Sequence, residues 1–347
     1  MINFTWMGKL LRKDTASNKN YLPLKILLLE TTTRCNLRCC HCNMPEPCDL
    51  SWENFEKILP ILHEYKPSVQ LNGHGETLLH PQFMKMLRAI SNAGCSLQFQ
   101  TNGMLLSKEI VDECIDLGVE SILTSIDAAD PELFARLRPP AQLETILANF
   151  RYIQEVKQKT GKKKPDIQFL FVAMRQNIHE LPAVMRLAAG MDVAHLAVLE
   201  LIEYDNTRQR ISTRGESLVN DPLMYQVAVA AEKLAAELGL SISLPPRIPG
   251  REVGGVALRN IDPTNTSSFI GLRKACRQPW NFVHIKANGK VQPCCMIKSS
   301  YGNIFEQSFE EIWQSDQYQE LRRKVLTDNP PEECLVCYTF GWEEIPK

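Results

Sequence analysis

The stretch LKILLLETTTRCNLRCCHC, residues 24–42, joins a strand-like apolar run directly to a cluster of cysteines. A run of this length, too short for a helix and rich in branched side chains, reads as a buried strand over 24–31. It leads into Cys35, Cys39 and Cys42, spaced C-x3-C-x2-C. Five more runs of the same kind follow at 69–72, 96–101, 121–126, 167–174 and 195–202. Helical periodicity fills the intervals at 52–63, 81–92, 108–117, 143–159 and 181–189, with start and stop signals such as Ser51 and Gly94 or Gly118. Repeated βα units predict parallel strands with crossover helices, and ligands of such sheets gather at the C-terminal ends of the strands. The first cysteines stand at one of those ends.

Composition narrows the function. Of 347 residues, 44% are apolar and 23% charged, with a net charge of -1, so there is no basic surplus of the kind that marks a nucleic-acid partner. No apolar run approaches a membrane span. The N-terminal MINFTWMGKLLRK places apolar residues before basic ones, the reverse of a secretory signal, and reads as a short amphipathic arm or a frayed end. A cytoplasmic protein is expected. The twelve cysteines then argue for metal or cluster ligation over a disulfide framework.

Three thiolates are one short of a closed four-cysteine site, which leaves room for an exogenous ligand. Zinc completed by His41 is the competing reading. Towards the C-terminus, Cys276 precedes a hairpin signalled by Asn288-Gly289, which returns the chain at Cys294 and Cys295, and Cys334-x2-Cys337 supplies two more thiolates. Four cysteines from these places suit either structural zinc or an iron-sulfur cluster. Between the clusters, Asp221-Pro222 opens a helix through Leu238 that Gly239 closes, and SISLP follows as a strand.

The Cys35/Cys39/Cys42 spacing after a first strand resembles the radical SAM superfamily, whose three cysteines hold a 4Fe-4S cluster with S-adenosylmethionine (SAM) on the fourth iron. Reductive cleavage of SAM there yields a 5'-deoxyadenosyl radical that abstracts hydrogen from a substrate. Other strand ends match. Gly73, His74, Gly75 and Glu76 resemble the motif that binds the SAM amino group, with His74 in place of a glycine and Thr77 in place of a proline. Asn102 after strand three, and Ser125 and Asp127 after strand four, also resemble family positions. The two-residue period puts Ser125 and Asp127 on one face, in reach of a ribose hydroxyl or the methionine carboxylate. Arg138 is a candidate carboxylate partner, with a solvated helix-end arginine as the simpler expectation, and Asn177 matches in outline. His41 occupies the place of an aromatic residue near the adenine. Cys40 reads as filling beside the ligands.

Cys276, Gly289-x4-Cys294, the GNI…EIW run and Cys334/Cys337 resemble SPASM and twitch domains. No cysteine follows Cys337, so the resemblance implies the shortened form with one auxiliary 4Fe-4S cluster on Cys276, Cys294, Cys334 and Cys337, Cys295 being the alternative to Cys294. It further implies an α/β fold, a partial (β/α)6 barrel of parallel strands with a small C-terminal cluster-binding module. The expected division is an N-terminal arm at 1–21, the radical SAM barrel at 22–244, a linker or substrate loop at 245–270 and the auxiliary domain at 271–347. The implied activity is a net oxidation of a peptide or a sugar- or aminocyclitol-like metabolite, with a flavodoxin or ferredoxin as reductant. Peptide epimerisation and non-enzymatic electron transfer by two clusters are the alternatives. Glu200, Glu203 and Tyr204, on and after strand six, are candidates for substrate contact and proton transfer.

Overall fold

The computed structural model describes residues 24–201, 205–206, 211–218, 221–245, 272–327, 330–335 and 341–344. The expected arm at 1–21 and most of the expected loop at 245–270 lie outside them. Six parallel strands occur in sequence order: β1 (Ile26–Leu29), β2 (Ser68–Leu71), β3 (Leu97–Thr101), β4 (Ser121–Ser125), β5 (Asp166–Ala173) and β6 (His195–Glu200). An antiparallel pair of two-residue strands, β7 (Asp205–Asn206) and β8 (Ile211–Ser212), follows, and β9 (Ile242–Ser243) adds in parallel to β6. This mixed, mostly parallel sheet is the α/β core expected from the alternation of periods.

Strand alternation sorts the core. Leu27, Leu29, Val69, Leu71, Phe99, Ile122, Phe169, Phe171, Leu196 and Val198 join the large apolar cluster under the helices. On the opposite face Leu123, Leu170, Ala197 and Leu199 form a smaller cluster of their own. Each such side chain contributes about 1.5–3 kcal/mol when fully buried.

The helices start where capping chemistry allows. Ser51 caps α1 (Trp52–Glu56) by accepting from the Asn54 N–H. The periodicity predicts one helix to residue 63, but α2 (Leu59–Tyr65) begins separately, because Pro60 has no N–H to continue the ladder and is tolerated only in a first turn. Then come α3 (Phe83–Asn92), α4 (Lys108–Asp116), α5 (Pro131–Leu137), α6 (Leu143–Thr160), α7 (Leu181–Gly190) and α8 (Pro222–Leu238). Helix α5 was not foreseen. It has a complete signal in Asp130-Pro131, with the Asp130 carboxylate accepting from the Leu133 N–H at 2.7 Å.

The C-terminal domain has its own small core. Its antiparallel pair is β10 (Leu272–Ala275) with β13 (Gly341–Glu344). Between them lie α9 (Gln278–Asn281), β11 (Phe282–Ile285), β12 (Val291–Gln292), α10 (Phe309–Trp313), α11 (Asp316–Lys324) and α12 (Glu332–Leu335). The hairpin expected around Asn288-Gly289 is β11–β12, and β11 pairs in parallel with β1, Phe282 opposite Ile26 and Ile285 opposite Leu29. The full sheet order is therefore β12-β11-β1-β2-β3-β4-β5-β6-β9. Arg322 secures the domain by donating to the carbonyls of Pro279 at 2.9 Å and Trp313 at 2.7 Å.

Candidate functional site

The chain leaves β1 into a loop closed on two sides. Thr31 and Thr33 bond the returning segment: the Leu50 N–H donates to the Thr31 carbonyl at 2.8 Å, Thr33 N–H to the Cys48 carbonyl at 2.8 Å, and Thr33 Oγ1 to the Glu46 carbonyl at 2.7 Å. On the other side, Arg38 N–H donates to the Pro139 carbonyl at 2.7 Å and Cys40 N–H to the Leu137 carbonyl at 2.9 Å. Held between are Cys39, buried, and Cys35 and Cys42, partly buried, all as free thiols. Burial, then the proximity of Cys39 and Cys35, pushes the Cys42 thiol up to about 12. Burial likewise raises Cys35 and Cys39. Neighbouring thiols that resist ionisation alone become thiolates once a cation joins them.

Donors already face two of the sulfurs. Cys35 Sγ accepts from the Leu37 N–H at 3.4 Å and from Asn102 Nδ2 at 3.9 Å, and Cys39 Sγ from Arg138 Nη1 at 3.7 Å. N–H groups aimed at sulfur are the outer partners that iron-sulfur ligands need, so the donor set fits a three-cysteine cluster. Among the described residues no three His, Cys, Asp or Glu converge on a single ion. A cluster asks for no such convergence, since each cysteine binds a different iron. The Cys40 sulfur lies 3.7 Å from His41 Nδ1.

The turn after β2 lies against this loop. A Cβ on Gly75 would sit 2.6 Å from the Arg34 carbonyl oxygen, and one on Gly73 would sit 2.8 Å from the Glu30 carboxyl carbon. Only glycine permits this approach. The Glu76 N–H donates to the same Arg34 carbonyl at 2.8 Å. The Glu76 side chain is buried and fully engaged, accepting from Leu78 N–H at 3.1 Å, Thr101 Oγ1 at 2.7 Å and Asn102 N–H at 2.6 Å. Its carboxylate thus ties the end of β2 to the end of β3. Asn102 in turn donates from Nδ2 to Asn36 Oδ1 at 2.7 Å.

His74, half exposed, meets Glu30, whose Oε1 accepts from the His74 N–H at 2.9 Å and lies 3.0 Å from its Nδ1. Lys286, from the turn after β11, lies 3.7 Å from the same oxygen. Burial opposes the Glu30 charge, but His74 and Lys286 outweigh it and hold the carboxyl down to about 2. Glu30 and Lys286 were not foreseen as site residues. A carboxylate closing the apolar run LLLE at a strand end was the available signal.

At the end of β4, Ser125 is buried, and Asp127 just after it fully so. Both Asp127 oxygens are engaged: Oδ1 accepts from Val172 N–H at 2.8 Å, and Oδ2 from Arg138 Nε at 2.5 Å. The expectation of a solvated Arg138 is corrected, because it is only 7% exposed. Burial works against its charge, but Asp127 and Cys39 outweigh that and raise its pKa. His41 Nε2 lies 3.3 Å from Arg138 Nη2 and 3.5 Å from Asp127 Oδ2. Burial brings the ring down to about 4, so it is neutral at pH 7. Asn177 is a latch, donating to the Asp127 and Val172 carbonyls and accepting from Met174 N–H.

In the C-terminal domain, Cys276, Cys294 and Cys334 meet in one apolar cluster with Ile297, Leu321 and Val325. Cys294 Sγ accepts from the Ile297 N–H at 3.4 Å. Cys295 lies outside that cluster and near Lys286, whose charge it favours. Cys337 lies outside the described residues.

Of the proposed substrate contacts, Glu203 and Tyr204 also lie outside them. By the two-residue period Glu200 shares the helix-side face of β6 with Leu196 and Val198, opposite the face of Ala197 and Leu199. Burial pushes its carboxyl up to about 7. A carboxyl with a raised folded value stabilises the fold fully only below its unfolded value near 4.5, and that stability is lost as pH rises towards 7. Glu200→Gln is therefore expected to stabilise the protein at pH 8 by on the order of 2 to 3 kcal/mol and to change little at pH 4, as read from urea midpoints at both pH values.

Two family models match the chain: the radical SAM superfamily over residues 29–188 and the SPASM iron-sulfur cluster-binding domain over 276–338. The chain is 26% identical over 324 residues to the tungsten-containing aldehyde ferredoxin oxidoreductase cofactor-modifying protein of Pyrococcus furiosus, covering 85% of this chain and 82% of that protein. It is 26% identical over 335 residues to the AdoMet-dependent heme synthase of Methanosarcina barkeri, covering 90% and 88%. Among solved structures, Streptococcus suis SuiB bound to S-adenosylmethionine superposes with a TM-score of 0.67 at 18% identity, over 88% of this chain and 69% of that one, a likeness of fold. No helix among the described residues is long and apolar enough to cross a membrane.

Proposed function

Because the chain is an enzyme with a radical SAM domain followed by a SPASM iron-sulfur domain, we propose that it catalyses a net two-electron oxidation of a peptide or small polar metabolite, with one auxiliary cluster as electron acceptor. A three-cysteine 4Fe-4S cluster carrying SAM would supply there the one-electron reduction that yields a 5'-deoxyadenosyl radical for hydrogen abstraction. Cys35, Cys39 and Cys42 are assigned to that cluster. The backbone of Gly73–Gly75 is assigned to the SAM amino group, held against the cysteine loop by Glu76, whose own carboxylate is engaged. Ser125 is assigned to orient the rest of SAM; Asn102 is engaged at both ends of its amide, Nδ2 donating to Asn36 Oδ1 and Oδ1 accepting from the Met104 N–H, and serves to fix the cysteine loop beside it. Cys276, Cys294, Cys334 and Cys337 are assigned to the auxiliary cluster.

The observation that carries this reading is the seam between the two strand ends: the Glu76 N–H on the Arg34 carbonyl at 2.8 Å and the tight approach of Gly75 bring a three-thiol loop and a ligand-ready glycine turn together. The relatives support organic substrates of more than one kind, since one is a cofactor-modifying protein and another a heme synthase. The test is anaerobic reconstitution, reduction with dithionite and addition of SAM, with 5'-deoxyadenosine as the readout. Its absence together with absent SAM binding would defeat the reading. Iron analysis tests the second site. Wild type is expected to hold about eight irons per chain, Cys294→Ser about four, and Cys295→Ser the wild-type content.

A further inference from the structure

The two backbone hydrogen bonds that clamp the cysteine loop flank one residue on each side. Arg38 N–H reaches the Pro139 carbonyl and Cys40 N–H the Leu137 carbonyl, so Cys39 and Arg138 face each other as a cross-strand pair does. The side chains follow that register, with Arg138 Nη1 3.7 Å from Cys39 Sγ. Nε of the same guanidinium donates to Asp127 Oδ2 at 2.5 Å, and Asp127 is itself fixed by Val172 N–H at 2.8 Å. Arg138 is 7% and Asp127 0% exposed, so water screens neither charge well.

We infer that Arg138 sets the reduction potential of the cluster assigned to Cys35, Cys39 and Cys42, by donating a charged N–H to the Cys39 sulfur from its buried pair with Asp127. The inference rests on the proposed function, which places a cluster there. The added electron makes the cluster and its sulfurs more negative. A cation bonded to one sulfur therefore stabilises the reduced form more than the oxidised one, and hydrogen bonds to sulfur and local charge are the protein's levers on such potentials. Asp127 has the opposite sign and moderates the effect. Arg138 is in this sense a positioning and tuning residue, independent of any contact it makes with SAM.

The experiment is a redox titration of reconstituted protein without SAM, followed by the EPR signal that the Cys35/Cys39/Cys42→Ala triple variant lacks. Arg138→Gln is expected to shift the midpoint to more negative values by about tenfold in the reduction equilibrium, about 59 mV for one electron. Asp127→Asn is expected to shift it the other way. Opposite signs separate charge from looseness, since a wetter, disordered site would move both variants in the same direction and overturn the inference. Unchanged midpoints in both variants, with only SAM affinity weakened, would also overturn it. If Arg138→Gln does not fold, Asp127→Asn decides alone: a positive shift supports the inference, and no shift or a negative one overturns it. Wild-type protein that binds no cluster at these cysteines, seen in iron analysis before any titration, would remove the parent reading as well.

Discussion

Replacing Cys35, Cys39 and Cys42 together by alanine is expected to reduce 5'-deoxyadenosine formation to background and iron from about eight to about four per chain. The loss is expected to be chemical and not a collapse of the fold. The loop is held by main-chain bonds to Cys48, Leu137 and Pro139, which alanines leave in place, and by Thr33, which they do not touch. Without iron the three thiols contribute no ionic bonds, because burial raises all three, neighbouring thiols adding to it at Cys35 and Cys42 and Asp127 at Cys39. Circular dichroism and the urea midpoint of the apo variant should therefore match those of the wild-type apo protein. A variant that still forms 5'-deoxyadenosine would disprove the ligand assignment, and an unfolded apo variant would show that the cysteines hold the loop in ways the hydrogen bonds do not reveal.

Gly75→Ala is expected to cost about 3 kcal/mol of stability and to abolish measurable SAM binding. The clash is with backbone: the added carbon would lie 2.6 Å from the Arg34 carbonyl oxygen and 2.8 Å from the Thr33 carbonyl carbon. Main chain yields less readily than a side chain, and here it is the loop that carries Cys35. Relief requires the glycine turn and the cysteine loop to part, which breaks the Glu76 to Arg34 hydrogen bond and separates the groups proposed to hold SAM from the cysteines. Gly118→Ala is the control. It has φ +67 with nothing within 4 Å of a new Cβ, so it should lose only about 1 kcal/mol of backbone preference and keep full SAM affinity. Urea unfolding and equilibrium dialysis of the two variants separate close approach from strain.

The six core strands and most helices were legible because short apolar runs alternate with stretches of 3.6-residue periodicity between residues 24 and 201. Pro60 was legible as a letter but not as a break, since periodicity carries across the two short helices it separates. The thiols were legible as spacing. Their environment was not: Arg138 stands 99 residues beyond Cys39, and only the folded register shows that it is buried and faces that sulfur. Glu76 was recognised as part of a motif, while its engagement by Thr101 and Asn102 depends on the neighbouring strand. Lys286 at Glu30 depends on a pairing between the two ends of the chain.

That pairing also bears on synthesis. While the protein emerges from the ribosome, β1 can pair with β2 almost at once, but its other edge has no partner until Phe282–Ile285 has been made. At typical elongation rates the wait is roughly 10 to 50 s, during which an apolar strand edge beside the cysteine loop is open to wrong partners. A segment translated long after the first strand is thus the one that seals it, and a chain that stops short of Phe282–Ile285 would leave the ribosome with that edge uncovered.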